Sequence, residues 1–176
     1  ALASIVGYTN AGKSTLLNTL TGAQVLAEDK LFATLDPTTR RLRLPTNQNV
    51  LLTDTVGFIR KLPHGLVEAF KATLEEVVHA DLILHVVDAS VRDAARQIKV
   101  VQGVLAELGC AERPVLTLLN KIDIAQDKAL IDVLAQTAAP ALAIAAKTGR
   151  GVDQLIEYVR QAAKPGAVTR TLRVSA

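Results

Sequence analysis

The string Gly7-Tyr8-Thr9-Asn10-Ala11-Gly12-Lys13-Ser14, set between two kinds of periodicity, restricts the fold more than any other feature. Before it, Leu2–Gly7 is a short apolar run; after it, from Lys13 to Leu20, leucines recur at helical spacing and stop near Gly22. The order is strand, tight loop, helix. Glycines let such a loop turn so that successive N–H groups point inward at the oxygens of an anion. The helix that opens there adds its positive end. Lys13 supplies a fixed cation for β- and γ-phosphates, and Ser14 offers a hydroxyl to magnesium. The string therefore predicts a phosphate cradle at the end of a buried strand.

The rest of the chain supports that setting. Arg and Leu alternate over residues 41–44, as in a strand with one buried face, and 50–53 is a second run, so the pair suggests a hairpin. Val67, Phe70, Leu74, Val77 and Val78 fall on one helical face. The apolar stretch 82–87, bounded by Asp81 and Asp88, reads as a strand buried on both faces, and 115–119 reads likewise after Pro114. Ile98, Val101, Leu105 and Leu108 make a helical stripe closed by Gly109. Residues 130–134 are helical, 141–144 a short strand and 152–159 an amphipathic helix. This alternation predicts an α/β, three-layer P-loop fold with a mostly parallel six-stranded sheet, right-handed crossovers and one antiparallel edge strand at 41–44. Ligands of such sheets sit beyond the carboxyl ends of the strands.

At 176 residues, 49% hydrophobic and 21% charged, the chain suits one packed domain. Residues 1–164 are read as that domain. The pattern weakens at Pro165 and Gly166, so 165–176 is read as a linker or the start of a further segment. Beginning directly on a strand pattern without methionine, the chain is expected to be cut from a longer protein. The single Cys110 excludes an internal disulfide, favours a reducing compartment and is expected to be a small packing residue. No apolar run is long enough to span a bilayer and no leader pattern is visible. The net charge of +3 does not by itself demand a nucleic-acid partner.

A phosphate loop does not choose the base. Asn120-Lys121-Ile122-Asp123 does, because it follows a buried strand at its carboxyl end. The Asp123 carboxylate can accept from both N1–H and the 2-amino group of guanine, where adenine offers an acceptor and no amino group. Two charge-assisted hydrogen bonds contribute about 3–6 kcal/mol, enough to reject adenine by about 10⁴-fold. Asn120 is expected to bond the base edge and the phosphate loop, with the stem of Lys121 along the ring. After the next strand come Ala145, Ala146 and Lys147: the Ala146 N–H is expected to meet the guanine oxygen, with Lys147 beside the base.

Asp54-Thr55-Val56-Gly57 ends the run 50–53. Asp54 can hold a magnesium-bound water and the Gly57 N–H can reach a γ-phosphate, whose loss would release the segment that follows. The loop before residue 41 should supply one threonine to magnesium. Thr34, Thr38 and Thr39 are all candidates on spacing alone.

Three strings, Gly7 to Thr15, Leu31 to Arg40 and Asp54 to His64, together resemble the HflX family of GTPases, within the TrmE-Era-Obg-HflX superfamily, and the likeness runs from Ala1 to about Lys164. The resemblance implies a Ras-like G domain that binds GTP and GDP and hydrolyses GTP with magnesium. It makes Thr34 the magnesium-binding switch threonine, since Phe-Ala-Thr-Leu is similar to the Phe-Thr-Thr-Leu of Obg-type proteins. Phe32, Ala33, Leu35, Asp36 and Thr15 then line the nucleotide with Thr55 and Val56, while Lys13, Thr34 and Gly57 serve hydrolysis. The metal set is Ser14, Thr34 and, through water, Asp54. The family further implies a cytoplasmic, monomeric protein bound to the large ribosomal subunit and its RNA, acting in ribosome splitting or rescue, with an N-terminal domain absent here. Ala145 departs from the commoner serine, which matters little where the backbone makes the contact.

Phe58 stands where many small GTPases carry a water-orienting glutamine, and Phe cannot polarise water. Slow intrinsic turnover accelerated by a partner is expected. Asn10 matches an asparagine that binds K+ in related GTPases, with bracing of the loop as its other reading. His85 reads as core, His79 as a helix end and His64 as part of the segment after Gly57. Arg40, Arg41, Arg43, Arg60 and Lys61 either meet RNA phosphates or guard a sheet edge. A nucleotide-sensing module with negligible hydrolysis is the competing function. An ATP-dependent phosphotransferase would leave Asp123 without a role.

Overall fold

The structure is a computed structural model and describes residues 2–8, 11–21, 38–44, 48–54, 76–110 and 112–162. Its strands are β1 (Leu2–Gly7), β2 (Thr38–Arg43), β3 (Asn49–Asp54), β4 (Leu82–Asp88), β5 (Val115–Asn120) and β6 (Ala141–Ala143). Its helices are α1 (Lys13–Thr21), α2 (Ala94–Glu107), α3 (Lys128–Thr137) and α4 (Val152–Ala162). The described strands form one six-stranded sheet in the order β2-β3-β1-β4-β5-β6. Every pairing is parallel except β2 with β3. The α/β architecture and its antiparallel edge strand are as the sequence predicts.

Alternation along each buried strand sorts the core into two sides. Ile5, Leu84 and Leu118 pack with Leu16, Leu17 and Leu20 of α1 and with Leu155 and Val159 of α4. Val6 and Ile83 pack with Val101 and Leu105 of α2, and Val87 and Leu119 with Ile98 of α2 and Leu134 of α3. Each fully buried Leu or Ile contributes about 1.5–3 kcal/mol. Cys110 is one of these packing residues, 1% exposed. His85 is 2% exposed within β4, and burial pushes its imidazole down to about 4.

Local chemistry fixes the helix ends. Asp127 caps α3 by accepting the Leu130 N–H at 3.0 Å. Gly109, at φ 79°, closes α2 with Gly109 N–H to Ala106 O at 3.0 Å and Cys110 N–H to Leu105 O at 2.9 Å, the paired closure that favours glycine there.

Several boundaries differ from the sequence reading, and two of the differences bear on its residue assignments. The edge strand is Thr38–Arg43 rather than 41–44, because Thr38 pairs with Asp54 and Thr39 with Thr53, so backbone pairing extends past the alternating segment. Thr38 and Thr39 thereby stand in a strand. The described end of the helix predicted over 67–78 is a 3₁₀ turn, Glu76–His79, with His79 exposed. The remainder of that prediction lies outside the described residues, as do Thr34, Gly57, Phe58, Arg60, Lys61 and His64.

Candidate nucleotide site

Five parallel strands deliver their carboxyl ends to one edge. β1 ends at Gly7, β4 at Asp88, β5 at Asn120 and β6 at Ala143. Asp54, the last residue of β3, is in register with Ile5 of β1 on one side and Thr38 of β2 on the other. The P-loop thus leaves β1 just beyond the level of Asp54.

The loop is one that only glycine can follow at two points. Gly7 has φ 156° and Gly12 φ 102°. A Cβ on Gly7 would strike the Val86 carbonyl oxygen, and one on Gly12 would strike the side-chain amide nitrogen of Asn120. Ala11 N–H donates to Tyr8 O at 3.2 Å, and Leu16 N–H to Gly12 O at 2.9 Å, so α1 winds directly out of the loop. Lys13, 8% exposed, donates from Nζ to Tyr8 O at 3.2 Å, which holds its ammonium against the loop it would serve. Ser14 and Thr15 occupy the next positions of α1. Thr9 and Asn10 lie outside the described residues, and with them the K+ question.

Asn120 joins the two halves of the site. It is 2% exposed. Its Nδ2 donates to Ala11 O at 2.9 Å, and its Oδ1 accepts the Ala146 N–H at 2.9 Å. Thr19 of α1 adds a second tie, donating from Oγ1 to Ala146 O at 2.8 Å. The expected tie from Asn120 to the phosphate loop is present in its bond to Ala11 O. One expectation changes: the Ala146 N–H, expected at a base oxygen, is taken by Asn120 Oδ1. Lys147, exposed, is the next residue along and its N–H is the next donor.

The loop after β6 is shaped from within. Ala145 N–H donates to Arg150 O at 2.9 Å, and Thr148 Oγ1 to Ala145 O at 3.2 Å. Gly151, at φ 80°, passes so close that a Cβ would lie 2.7 Å from Ala143 O. Ile122 N–H donates to Ile144 O at 3.2 Å, which seats the Asn120–Asp123 turn against β6. Asp123 itself is exposed.

Sequence reasoning missed Asp88 and Thr19. Asp88 Oδ2 lies 3.1 Å from Lys121 Nζ. The available signal was a carboxylate closing a buried, mostly apolar strand, one strand away from Asn-Lys. Thr19 carried none, since its partner is 127 residues distant.

No group of three or more His, Cys, Asp or Glu gathers among the described residues. Magnesium does not require one. It takes most of its ligands from substrate phosphates and water, with one or two from protein. A hydroxyl on the first turn of α1 and a carboxyl residue ending β3 at the same edge suit that ion. Ser14 would bind it directly and Asp54 through water.

A glycine cradle, a buried lysine and a buried amide linking the cradle to a second loop define a P-loop nucleotide-binding domain of the G-domain kind. The family model described as 50S ribosome-binding GTPase matches residues 3–121, and the chain belongs to that family. The likeness to HflX read from its motifs is shown by its relatives. The GTPase HflX of Caldanaerobacter subterraneus subsp. tengcongensis is 56% identical over 158 residues, 90% of this chain and 36% of that protein. The GTPase HflX of Escherichia coli is 46% identical over 172 residues, 97% of this chain and 40% of that protein. The chain therefore spans 36–40% of the length of these relatives. A GTP-binding protein from the archaeon Sulfolobus solfataricus, solved in complex with GDP, matches with a TM-score of 0.76 at 29% identity, covering 97% of this chain and 53% of that one.

Proposed function

We propose that the chain is the GTP-binding and GTP-hydrolysing switch domain of a cytoplasmic, ribosome-associated HflX-type GTPase. Its whole protein acts on the large subunit in splitting or rescue of stalled ribosomes. The domain spans residues 1–164, with 165–176 leading onward. The observation that carries this reading is the bridge from Ala11 O through Asn120 to Ala146 N–H, which locks a phosphate loop to a base-side loop beside Asp123. Both loops must be fixed together for one ligand to touch both.

In this reading Lys13 and the N–H groups of 7–15 hold the phosphates, and Asp123 selects guanine. Lys147 N–H replaces Ala146 N–H as donor to the base oxygen. Residues 32–36 cover the nucleotide, and Thr55, Val56 and Gly57 close on the γ-phosphate. Ser14, Thr34 and, through water, Asp54 would hold magnesium, which would supply positive charge against the phosphates. Water attacks the γ-phosphorus while its bond to the β–γ bridging oxygen breaks, giving GDP and phosphate. With Phe58 unable to orient that water, the intrinsic rate is slow until the ribosome supplies a positioning group. Asn10 either binds K+ or braces the loop. The exposed Arg40, Arg41 and Arg43 of β2 provide positive charge for ribosomal RNA.

Calorimetry with GDP, a non-hydrolysable GTP analogue and its ATP equivalent, magnesium present, tests the site. Guanine-only binding is expected, and equal binding of adenine nucleotides would reject it. Single-turnover hydrolysis with and without large subunits tests the switch. Absence of acceleration would leave a nucleotide-sensing module.

A further inference from the structure

Lys121 adopts φ 66°, a backbone region that disfavours a residue with a long side chain, directly after the buried Asn120. Its Nζ lies 3.1 Å from Asp88 Oδ2. Asp88 is itself fixed: its Oδ1 accepts the Ser90 N–H at 2.9 Å and the Ser90 hydroxyl as well. The strands set this meeting, since Asp88 is in register with Asn120 and Ala89 N–H donates to Asn120 O at 2.9 Å. A lysine side chain held at its backbone by a turn and at its tip by a carboxylate has less rotamer freedom left to lose.

We propose that Asp88 is a positioning residue for base recognition, acting through Lys121. By anchoring the ammonium it presents the Lys121 methylenes as a preformed surface for one face of the guanine ring. The role rests on the guanine-nucleotide reading above. An ion pair still partly open to solvent, with side chains 30% and 14% accessible, adds little to folding. Its effect is on binding, because a long side chain ordered in advance need not be ordered by the ligand.

A double-mutant cycle read by calorimetry with GDP and a non-hydrolysable GTP analogue tests this. Asp88→Asn is expected to weaken both nucleotides by roughly five- to tenfold, with the melting temperature of the nucleotide-free chain nearly unchanged. In a Lys121→Ala background the same substitution should change affinity by less than about twofold. Equal losses in the two backgrounds, or no loss in the native one, would overturn the role. Should Asp88→Asn fail to fold, Ser90→Ala, which frees the carboxylate to move, serves in the same cycle. A loss of about twofold that vanishes without Lys121 is then expected, and a loss that persists overturns the role. Absence of guanine binding by the native chain would overturn the proposed function along with this link. Native binding with a silent or uncoupled Asp88→Asn overturns only the link.

Discussion

At the amino edge of the sheet, Leu2, Ala3, Val50, Leu82, Val159 and Ala162 close around a small apolar space with Asp81 beside it. Asp81 accepts the Leu2 N–H at 2.9 Å and returns its own N–H to Leu2 O at 2.8 Å, so backbone groups there are satisfied locally. At the carboxyl edge the construction is reversed. Gly7 and Gly12 follow paths closed to other residues, Lys121 sits at φ 66°, and Asn120 and Lys13 are polar yet buried. Apolar packing tolerates repacking and stores stability. Buried polar groups each need one particular partner, and backbone strain persists only where its surroundings fix it. The edge that binds ligands is thus the one where the fold is least forgiving.

The largest expected effect isolates recognition from folding. Asp123→Asn should weaken GTP by about 10³-fold or more and favour xanthosine triphosphate, whose 2-oxo group suits an amide donor. Asp123 is exposed, so the melting temperature should hold. Calorimetry with both nucleotides checks this, and unchanged GTP affinity would place base recognition elsewhere.

A direct contrast of the edges pairs Asn120→Ala with Leu82→Ala. The first strands Ala11 O and Ala146 N–H without their partner and should cost about 2–5 kcal/mol in urea unfolding, along with most nucleotide affinity. The second removes a core side chain, 3% exposed, at a similar cost of about 2–5 kcal/mol, with nucleotide affinity retained. Equal losses of binding would erase the distinction between the edges.

His85, midway along β4, sharpens the comparison by pH. Its folded value of about 4 lies below the ordinary 6.5 because burial disfavours the cation. Above 6.5 both folded and unfolded imidazoles are neutral. As pH falls from 6.5 to 4 only the unfolded chain takes up the proton, so stability falls, by on the order of 3 kcal/mol in all. Unfolding at pH 7 and pH 4.5 should show that slope in the native chain and a shallower one in His85→Leu. The smallest effect belongs to Ser4, buried in β1 with no hydrogen-bond partner for its hydroxyl among the described residues. Ser4→Ala should be neutral or stabilise by up to about 1 kcal/mol, while a clear destabilisation would reveal a partner.

Much of this edge was legible in the chain. Gly7 to Ser14 located the cradle because its chemistry is local: glycine for backbone freedom, lysine for charge, a helix start for N–H groups. Asn120 to Asp123 was placed by the buried strand before it. Less legible was what each polar group spends its bonds on. Asn120 was expected to reach the phosphate loop and does so through Ala11, but nothing local announced that its carbonyl would be taken by Ala146, a residue 26 positions away. The strand Thr38–Arg43 was begun too late, because pairing with β3, rather than its own alternation, sets where it starts.

By itself the sequence determined the order of strands and helices, the layered α/β class, the phosphate cradle and the guanine signature, since each depends on periodicity or on residues adjacent in the chain. Only the tertiary structure decided that Asn120 locks Ala11 to Ala146, that Thr19 supports the same loop and that Asp88 holds Lys121. Those contacts join segments brought together by parallel strand register, and hydrogen-bond partners across a sheet leave no local pattern to read.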